Sequence, residues 1–210
     1  MINNLYNTPV ATAIFGLTLV FSLYVFSNPQ WFGRWMLHPF GIYRNKSRYY
    51  TIFTSGLIHK DWMHLLFNMV TFYYFGFSLE AMFVQFSGST GHLLFALLYV
   101  ISMVLSDIPT ILQQKNNPGY YSLGASGSVC AILFSFILFQ PKAQLGVFMI
   151  IPMPAYLFAL LFVGYSMWAA KKSSDGINHD AHLFGALTGV LITLLMYPWV
   201  FRHFIGSFIG

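Results

Sequence analysis

Six stretches of this 210-residue chain contain no Asp, Glu, Lys or Arg, and they decide what the chain can fold into. They cover residues 9–27, 62–79, 92–106, 123–139, 155–170 and 181–201. A helix of about 20 mainly apolar residues, with a range of about 17–25, spans the hydrocarbon core of a membrane. Four runs have that length, and the third and fifth reach it with neighbours such as Gly91 and Asp107 at the interface. The sequence therefore predicts an all-α membrane protein, a six-transmembrane-helix bundle forming a single domain over residues 1–210.

Composition supports the same class. Only 7% of the residues are charged and 57% are apolar, whereas soluble domains carry about 25% charged residues. The net charge of +5 is spread over loops without a basic stripe. This distribution favours contact with lipid headgroups and no nucleic acid. Cys130 is the only cysteine, which excludes an internal disulfide and a cysteine-based metal site. Residues 1–8 contain no Lys or Arg, so we expect the first run to be a retained span rather than a signal peptide.

Two connecting segments stand out. Residues 28–60 form a long first loop in which tryptophans are mixed with basic residues and no acid occurs. This combination is typical of the membrane–water interface, so we expect the loop to lie partly among the headgroups. Residues 107–122 form a second, polar loop that leads directly into the small-residue stretch 124–128.

Two polar residues in the second run share one helix face. His64 and Asn68 are four residues apart, a spacing that makes them neighbours on a helix. Ionisable groups at membrane depth are costly and therefore point to function. The alternative is that both simply bond a neighbouring helix, as interhelical polar pairs do. Asp61 is expected to cap this helix by accepting a bond from the backbone of Met63 or His64.

The last run begins with a histidine on a helix face whose other residues are glycine and alanine. His182 is followed by Gly185, Ala186 and Gly189 at helical spacing, and such faces let two helix backbones approach closely. The stretch Gly124–Gly127 is equally bare and contains Ser126. Simple packing explains both, but two such faces can also bring a serine and a histidine to hydrogen-bond distance. A base of this kind activates a hydroxyl that is a weak nucleophile alone.

Ser126 begins an apolar run, and that position suits a nucleophile. The first turn of a helix has unpaired backbone N–H groups and the positive end of the helix dipole. Both stabilise an oxyanion that forms during attack on a carbonyl. His64 and Asn68 supply further donors if their helix lines the same cavity. Asp180 is two residues from His182 and points off its face, so the sequence favours a Ser–His dyad over a triad.

These residues together resemble the rhomboid intramembrane serine proteases over about residues 45–200. The resemblance is carried by Gly124-Ala125-Ser126-Gly127, His64-x-x-x-Asn68 and Ala181-His182-x-x-Gly185-x-x-x-Gly189. It implies the following roles: Ser126 as nucleophile, His182 as general base, an oxyanion hole from His64, Asn68 and the Ser126 backbone, and support from Gly124, Gly127, Gly185 and Gly189. It also implies substrates that are single transmembrane helices, cut near one end where small or helix-breaking residues loosen the backbone. It implies no cofactor and no metal.

Several positions depart from the family pattern or extend it. Cys130 stands where the family often has an aromatic that stacks on the catalytic imidazole, and Tyr50-Thr51 replaces a Trp-Arg pair, with Arg48 nearby. Glu80 and His59 match polar positions that are structural in the family. Glu80 is expected to bond within the turn between the second and third spans.

Two other function classes compete. A rhomboid-like protein can bind membrane helices and cut nothing, although such proteins typically lose the serine or the histidine and this chain keeps both. A small transporter or metal carrier would use the histidines as ligands (His59, His64, His179 and His182). No carboxylate or thiol completes that site, so the sequence favours the protease.

The distribution of basic residues and the family resemblance predict opposite orientations of the protein in the membrane. With six spans, one side of the membrane holds only Lys142 and Arg202, and the serine's side holds the other eight basic residues. The positive-inside rule would place the serine's side in the cytoplasm, whereas the family resemblance places it outside. Five of the eight basic residues belong to the long first loop, which is not a short flexible one. We therefore expect cytoplasmic termini, an extracytoplasmic 107–122 loop, and a location in the inner or plasma membrane.

Overall fold

A computed structural model describes residues 7–147, 151–172 and 176–209, and the chain is mostly helical over these ranges. The α-helices are α1 (Pro9–Ser27), α2 (Phe32–Trp35), α3 (Pro39–Asn45), α4 (Thr51–Thr54), α5 (Trp62–Ser87), α6 (Thr90–Gln114), α7 (Ser126–Phe139), α8 (Ala155–Lys172), α9 (His179–Met196) and α10 (Trp199–Ile209). Two short antiparallel strands, β1 (Gln144–Val147) and β2 (Ile151–Pro154), pair between α7 and α8. The prediction of an all-α chain missed this hairpin, because two strands of four residues carry too little alternation to be recognised.

Each apolar run overlaps one of the helices α1 and α5–α9, but not all six helices have the length and composition of a span. Within the described ranges, α1, α6 and α9 are long and apolar enough to cross a membrane. Helix α7 is apolar but has only 14 residues. By length and composition these three helices are candidate membrane spans, and the bundle of six spans remains a prediction.

Two predicted boundaries are wrong. The run 181–201 is not one helix, because Pro198 lacks an N–H and separates α9, which ends at Met196, from α10, which begins at Trp199. The polar loop predicted over 107–122 starts later, because α6 continues through Asp107 and Pro109 to Gln114. A proline removes one helical hydrogen bond, and membrane helices tolerate it when neighbouring groups compensate.

The first loop has its own structure. It contains α2, α3 and α4 together with two 3₁₀ turns, Pro29–Trp31 and Ser55–Leu57. The Arg48 guanidinium donates hydrogen bonds to the carbonyls of Gly33 and Arg34, and the Tyr50 hydroxyl also donates to Arg34 at 3.0 Å. Arg48 and Tyr50 therefore bond the later part of this loop to α2 near its beginning, at and beside the position where the family pattern has Trp-Arg.

Glu80 anchors the start of α1. Its fully buried carboxylate accepts bonds from the backbone N–H groups of Val10 at 3.1 Å and Ala11 at 2.6 Å. It also lies 2.6 Å from Nδ1 of His92, across the turn between α5 and α6. Glu80 therefore links α5 to α6 over the predicted turn and also supplies acceptors for two backbone N–H groups in the first turn of α1.

Helix α7 lies at the centre of the bundle, and all its residues except Ser126 and Phe136 are buried. It packs most closely against α9. A methyl group added to Gly185 would collide with the backbone of Gly127, and one added to Gly189 would collide with the backbone of Ala131. The predicted close approach of these two bare faces is confirmed.

We expect Gly185→Ala to destabilise the protein. The added methyl has no space beside Gly127, and overpacking costs about 1–3 kcal/mol. This cost exceeds the roughly 0.5–1 kcal/mol that alanine gains over glycine inside a helix. Unfolding by SDS in detergent micelles measures the change. Gly164→Ala in α8, where an added methyl meets nothing within 4 Å, is the matched control and should be neutral or slightly stabilising. Equal stability of the two variants would contradict the packing described above.

Candidate active site

One large cavity collects the predicted site residues. It has a volume of about 980 Å³, and its lining includes Ser126, His182, His64 and Asn68. These side chains come from three helices, α7, α9 and α5. A methyl group on Gly127, next to Ser126, would be 3.6 Å from the carbonyl oxygen of Ala181, next to His182. The structure therefore brings together the residues that three separate motifs predicted.

Ser126 is the first residue of α7 and follows a turn that contains a glycine with positive φ. Gly124 has φ +122°, a conformation that residues with a Cβ rarely adopt. A methyl group there would also lie 2.6 Å from Cε1 and 2.8 Å from Nε2 of His64. The Gly124 N–H donates to the Ser55 carbonyl at 2.9 Å, which fixes the turn to the first loop. Glycine is thus required at position 124 for backbone conformation and for the close approach of the His64 imidazole.

His64 and Asn68 are arranged by the first turns of α5. The Asp61 carboxylate accepts a bond from the His64 N–H at 2.7 Å, which confirms the predicted cap. Asn68 is buried and its amide donates to the His64 carbonyl at 2.9 Å. This bond uses one of the two amide protons, so Asn68 retains a second donor.

His182 is half-buried and has aromatic neighbours. The Phe162 ring of α8 stacks on it with ring centroids 6.3 Å apart and an interplanar angle of 29°. The His179 ring meets it edge-on at 6.0 Å. Cys130 is buried in α7, so α8 supplies the aromatic neighbour that the family pattern places in α7. The sequence contained no signal for this contact, because Phe162 and His182 lie on different helices.

His59 joins α1 to the turn before Ser126. Its buried Nδ1 lies 3.0 Å from the Ser22 hydroxyl, which in turn donates to the Leu57 carbonyl at 3.1 Å. With the Ser22 proton assigned to the Leu57 carbonyl, Nδ1 carries a hydrogen and donates it to the Ser22 oxygen. Nε2 is then an acceptor, and the Ala125 N–H points to it at 3.5 Å, a long hydrogen bond. Burial, and secondly the neighbouring His64, lower the pKa of His59 from 6.5 to about 3, which keeps this neutral tautomer in place.

The first loop also pairs with the loop that precedes the serine. Leu37 and Ser122 exchange two backbone hydrogen bonds, of 2.8 and 3.2 Å. Beside them the His38 ring stacks on Tyr121 with centroids 4.5 Å apart, and its Nε2 lies 3.2 Å from the Pro118 carbonyl. Sequence reasoning missed these contacts, which hold the serine-bearing segment against the first loop.

The metal-carrier interpretation gains no support from the arrangement of the histidines. In the ranges that the structure describes, no three His, Cys, Asp or Glu side chains form a group able to hold a metal ion. His59 and His64 contact each other edge-on at 4.8 Å, and the buried His59 is engaged by Ser22 and Ala125 as described above.

Comparison with known proteins identifies the family. Residues 46–199 match the family described as "Rhomboid domain". The chain is 29% identical over 155 residues to "RHOMBOID-like protein 12, mitochondrial" of Arabidopsis thaliana, covering 69% of this chain and 45% of that protein. It is 28% identical over 196 residues to "Putative rhomboid protease YdcA" of Bacillus subtilis (strain 168), covering 89% of this chain and 88% of that protein.

Because the family match covers well over half of the chain, the protein belongs to the rhomboid family. This confirms the family that the three motifs predicted. A second plant relative, "Rhomboid-like protein 11, chloroplastic" of Arabidopsis thaliana, is 28% identical over 170 residues. The chain spans 45% and 55% of the lengths of the two plant relatives, and 88% of the bacterial one.

We expect acid to weaken the fold through His59. The native state holds this imidazole neutral down to about pH 3, whereas an unfolded histidine binds a proton below about pH 6.5. The unfolded state therefore binds more protons between these values, so the stabilisation is complete above pH 6.5 and is lost progressively as the pH falls towards 3. The free energy of unfolding, measured in micelles across this range, should fall less steeply for His59→Gln than for the wild type.

A second pair of variants tests the contact itself. Ser22→Ala leaves the buried Nδ1–H without its acceptor, which costs about 1–3 kcal/mol. Ser27→Ala, at an exposed position of the same helix, should change stability by no more than about 0.5 kcal/mol. Equal slopes for His59→Gln and wild type, together with a neutral Ser22→Ala, would contradict the role given to His59.

Proposed function

We propose that this protein is an intramembrane serine endopeptidase that hydrolyses peptide bonds in or near transmembrane helices of other membrane proteins, through a dyad of Ser126 and His182. The observation that carries the proposal is the shared cavity. Ser126 stands at the N-terminus of α7, and His182, His64 and Asn68 line the same space from two other helices. The name of the bacterial relative, which includes the words rhomboid protease, supports the same activity.

The proposed reaction follows the acyl-transfer route of serine hydrolases. His182 takes the hydroxyl proton of Ser126 while Oγ attacks the scissile carbonyl carbon. The protonated imidazole then gives that proton to the leaving amine, and the peptide C–N bond breaks to leave an ester on Ser126. Water attacks the ester, losing a proton to His182, and the serine is released with its own proton restored. The products are one new carboxyl end and one new amino end.

The oxyanion of each tetrahedral intermediate needs donors already in place. The first backbone N–H groups of α7, including that of Ser126, have no partner within the helix and lie at the positive end of its dipole. His64 is adjacent to this turn through its contact with Gly124, and Asn68 follows one turn later on α5. We assign these groups as the oxyanion hole, in a site that uses no metal and no cofactor.

The proposed substrate is a single membrane helix that unwinds near the cavity. A peptide bond inside a helix is shielded, so small or helix-breaking residues near the cleavage site favour attack. The exposed surface of the molecule carries large apolar side chains on several helices, among them Leu160, Leu191 and Leu195, as lipid contact requires. Under this proposal six helices, α1 and α5–α9, cross the bilayer.

We expect Ser126→Ala to abolish cleavage of a transmembrane substrate and labelling by a fluorophosphonate, while the protein stays folded. The matched control is Ser128→Ala on the same helix, whose buried hydroxyl donates to the Tyr99 carbonyl at 3.1 Å. It should retain labelling. In the same way His182→Ala should reduce turnover to background, whereas His203→Ala, at an exposed histidine of α10 outside the cavity lining, should not. Wild-type protein that binds the substrate helix but neither cleaves nor labels would instead indicate an inactive helix-binding member of the family.

The oxyanion assignment predicts slow rather than inactive variants. Removing one donor costs about 2.7–4 kcal/mol of transition-state stabilisation, so Asn68→Ala and His64→Ala should each lower kcat by roughly 10²–10³. Thr71→Ala is the control on α5, because Thr71 lines the same cavity but donates to the Phe67 carbonyl. If both variants matched the wild type, His64 and Asn68 would not be oxyanion donors even with the dyad correct.

We also propose that the cavity opens to the extracytoplasmic side of the inner or plasma membrane. The loop before Ser126 is held against the first loop by the Leu37–Ser122 pair, so both loops lie on one side. A reporter active only in the cytoplasm, fused after Gly210, should give a signal. A silent fusion there, with a signal from an insertion within residues 113–117, would show that the positive-inside rule determines the orientation.

A further inference from the structure

One side chain connects the segments that carry the two proposed catalytic residues. Asn178 lies four residues before His182, and Ser122 lies four residues before Ser126. The Asn178 amide donates to the Ser122 hydroxyl at 3.4 Å and to the Thr110 hydroxyl at 2.8 Å. The Thr110 hydroxyl in turn donates to Oδ1 of Asn178 at 3.2 Å. This single amide therefore joins α6, the loop before the serine and the start of α9.

Asn178 also determines the first turn of α9. Its Oδ1 accepts a bond from the Ala181 N–H at 3.1 Å, as an N-cap residue does. Its own carbonyl accepts from the His182 N–H at 3.2 Å. The backbone that carries His182 is thus bonded directly to the residue whose side chain reaches Ser122.

The partners of Asn178 are themselves fixed. Thr110 is buried on α6, and Ser122 exchanges two backbone bonds with Leu37 in the first loop. Asn178 and Ser122 both line the cavity that contains Ser126 and His182. A displacement of Asn178 would consequently move the start of α9 relative to the serine turn at the cavity wall.

We propose that Asn178 is a positioning residue, which sets the separation of His182 from Ser126 by bonding α9 to Ser122 and Thr110. This inference rests on the proposed Ser126–His182 chemistry. It adds a restraint on the position of His182 that the packing of Gly127 on Gly185 does not provide. That packing sets the distance between the two helix axes, whereas the Asn178 amide restrains α9 against sliding along or turning about its own axis. Misplacement of a catalytic group by 1 Å can cost about 10²-fold in rate.

The test separates the amide from the helix cap. Asn178→Ser keeps a good capping oxygen but is too short to reach Thr110 or Ser122. We expect kcat to fall about tenfold or more, with KM for a transmembrane substrate and the unfolding transition close to wild type. Asn116→Ser is the control, since Asn116 lies in the same polar loop as Ser122 but its side chain accepts a bond from Arg44 on the exposed surface. This control should retain wild-type kcat.

The partner residues give a second, independent readout. Thr110→Val removes the hydroxyl and should lower kcat, whereas Thr110→Ser retains it and should restore the wild-type rate. Because Asn178 and Ser122 act through one bond, the double variant Asn178→Ser with Ser122→Ala should be no slower than Asn178→Ser alone.

Results that contradict the positioning role can be distinguished from results that contradict the dyad. If wild-type protein cleaves substrate and Asn178→Ser has the same kcat, Asn178 is only a helix cap and the positioning role is wrong. The role is equally wrong if the loss of rate merely follows a loss of folded protein, or if the effects of Asn178→Ser and Ser122→Ala multiply. Wild-type protein that neither cleaves nor reacts with a fluorophosphonate overturns the dyad, and the positioning role with it.

Discussion

The contact between α7 and α9 is the constraint on which the rest of the site depends. In a membrane, apolar side chains gain little by leaving lipid for protein, so helix association relies on close packing and interhelical hydrogen bonds. Gly127 against Gly185 and Ala131 against Gly189 allow the two backbones to touch. One to two turns further along, the Ser135 hydroxyl lies between the Gly189 carbonyl, at 3.1 Å, and the Thr193 hydroxyl, at 2.8 Å. Ser126 and His182 line the cavity at this end of the interface, so the packing of α7 on α9 brings both residues to one cavity.

Close helices alone do not shape the turn that carries the serine. Irregular backbone at membrane depth must have its polar groups satisfied by protein or line a water-filled cavity. Here the Gly124 N–H is bonded to Ser55, and the Ala125 N–H points to the neutral His59. The first loop thus acts as a lateral support for the turn, and its internal ties through Arg48 and Tyr50 give it the rigidity that such support needs.

The histidine of the proposed dyad is held by aromatic packing and by the cap of its helix. His182 is bounded by Phe162 on one side and by His179 at its edge. Its backbone is held by Asn178, which is bonded to α6 and to the loop before the serine. Orientation by an aromatic ring and a helix cap introduces no buried charge, which a carboxylate at the same place would introduce at a considerable cost in desolvation.

The sequence by itself determined the family of the protein and which residues of the proposed site share a helix face. Charge-free runs indicate membrane helices because lipid excludes charge, and the spacings around His64, His182 and Gly185 report which residues share a helix face. The Asp61 cap was predictable for the same reason, since it involves residues three apart. Only the tertiary structure decided the contacts of His59 with Ser22 and Ala125, of Phe162 with His182, and of Asn178 with Ser122. These residues are far apart in the chain, and their meeting depends on how helices cross and loops fold back, which no periodicity within a single segment encodes.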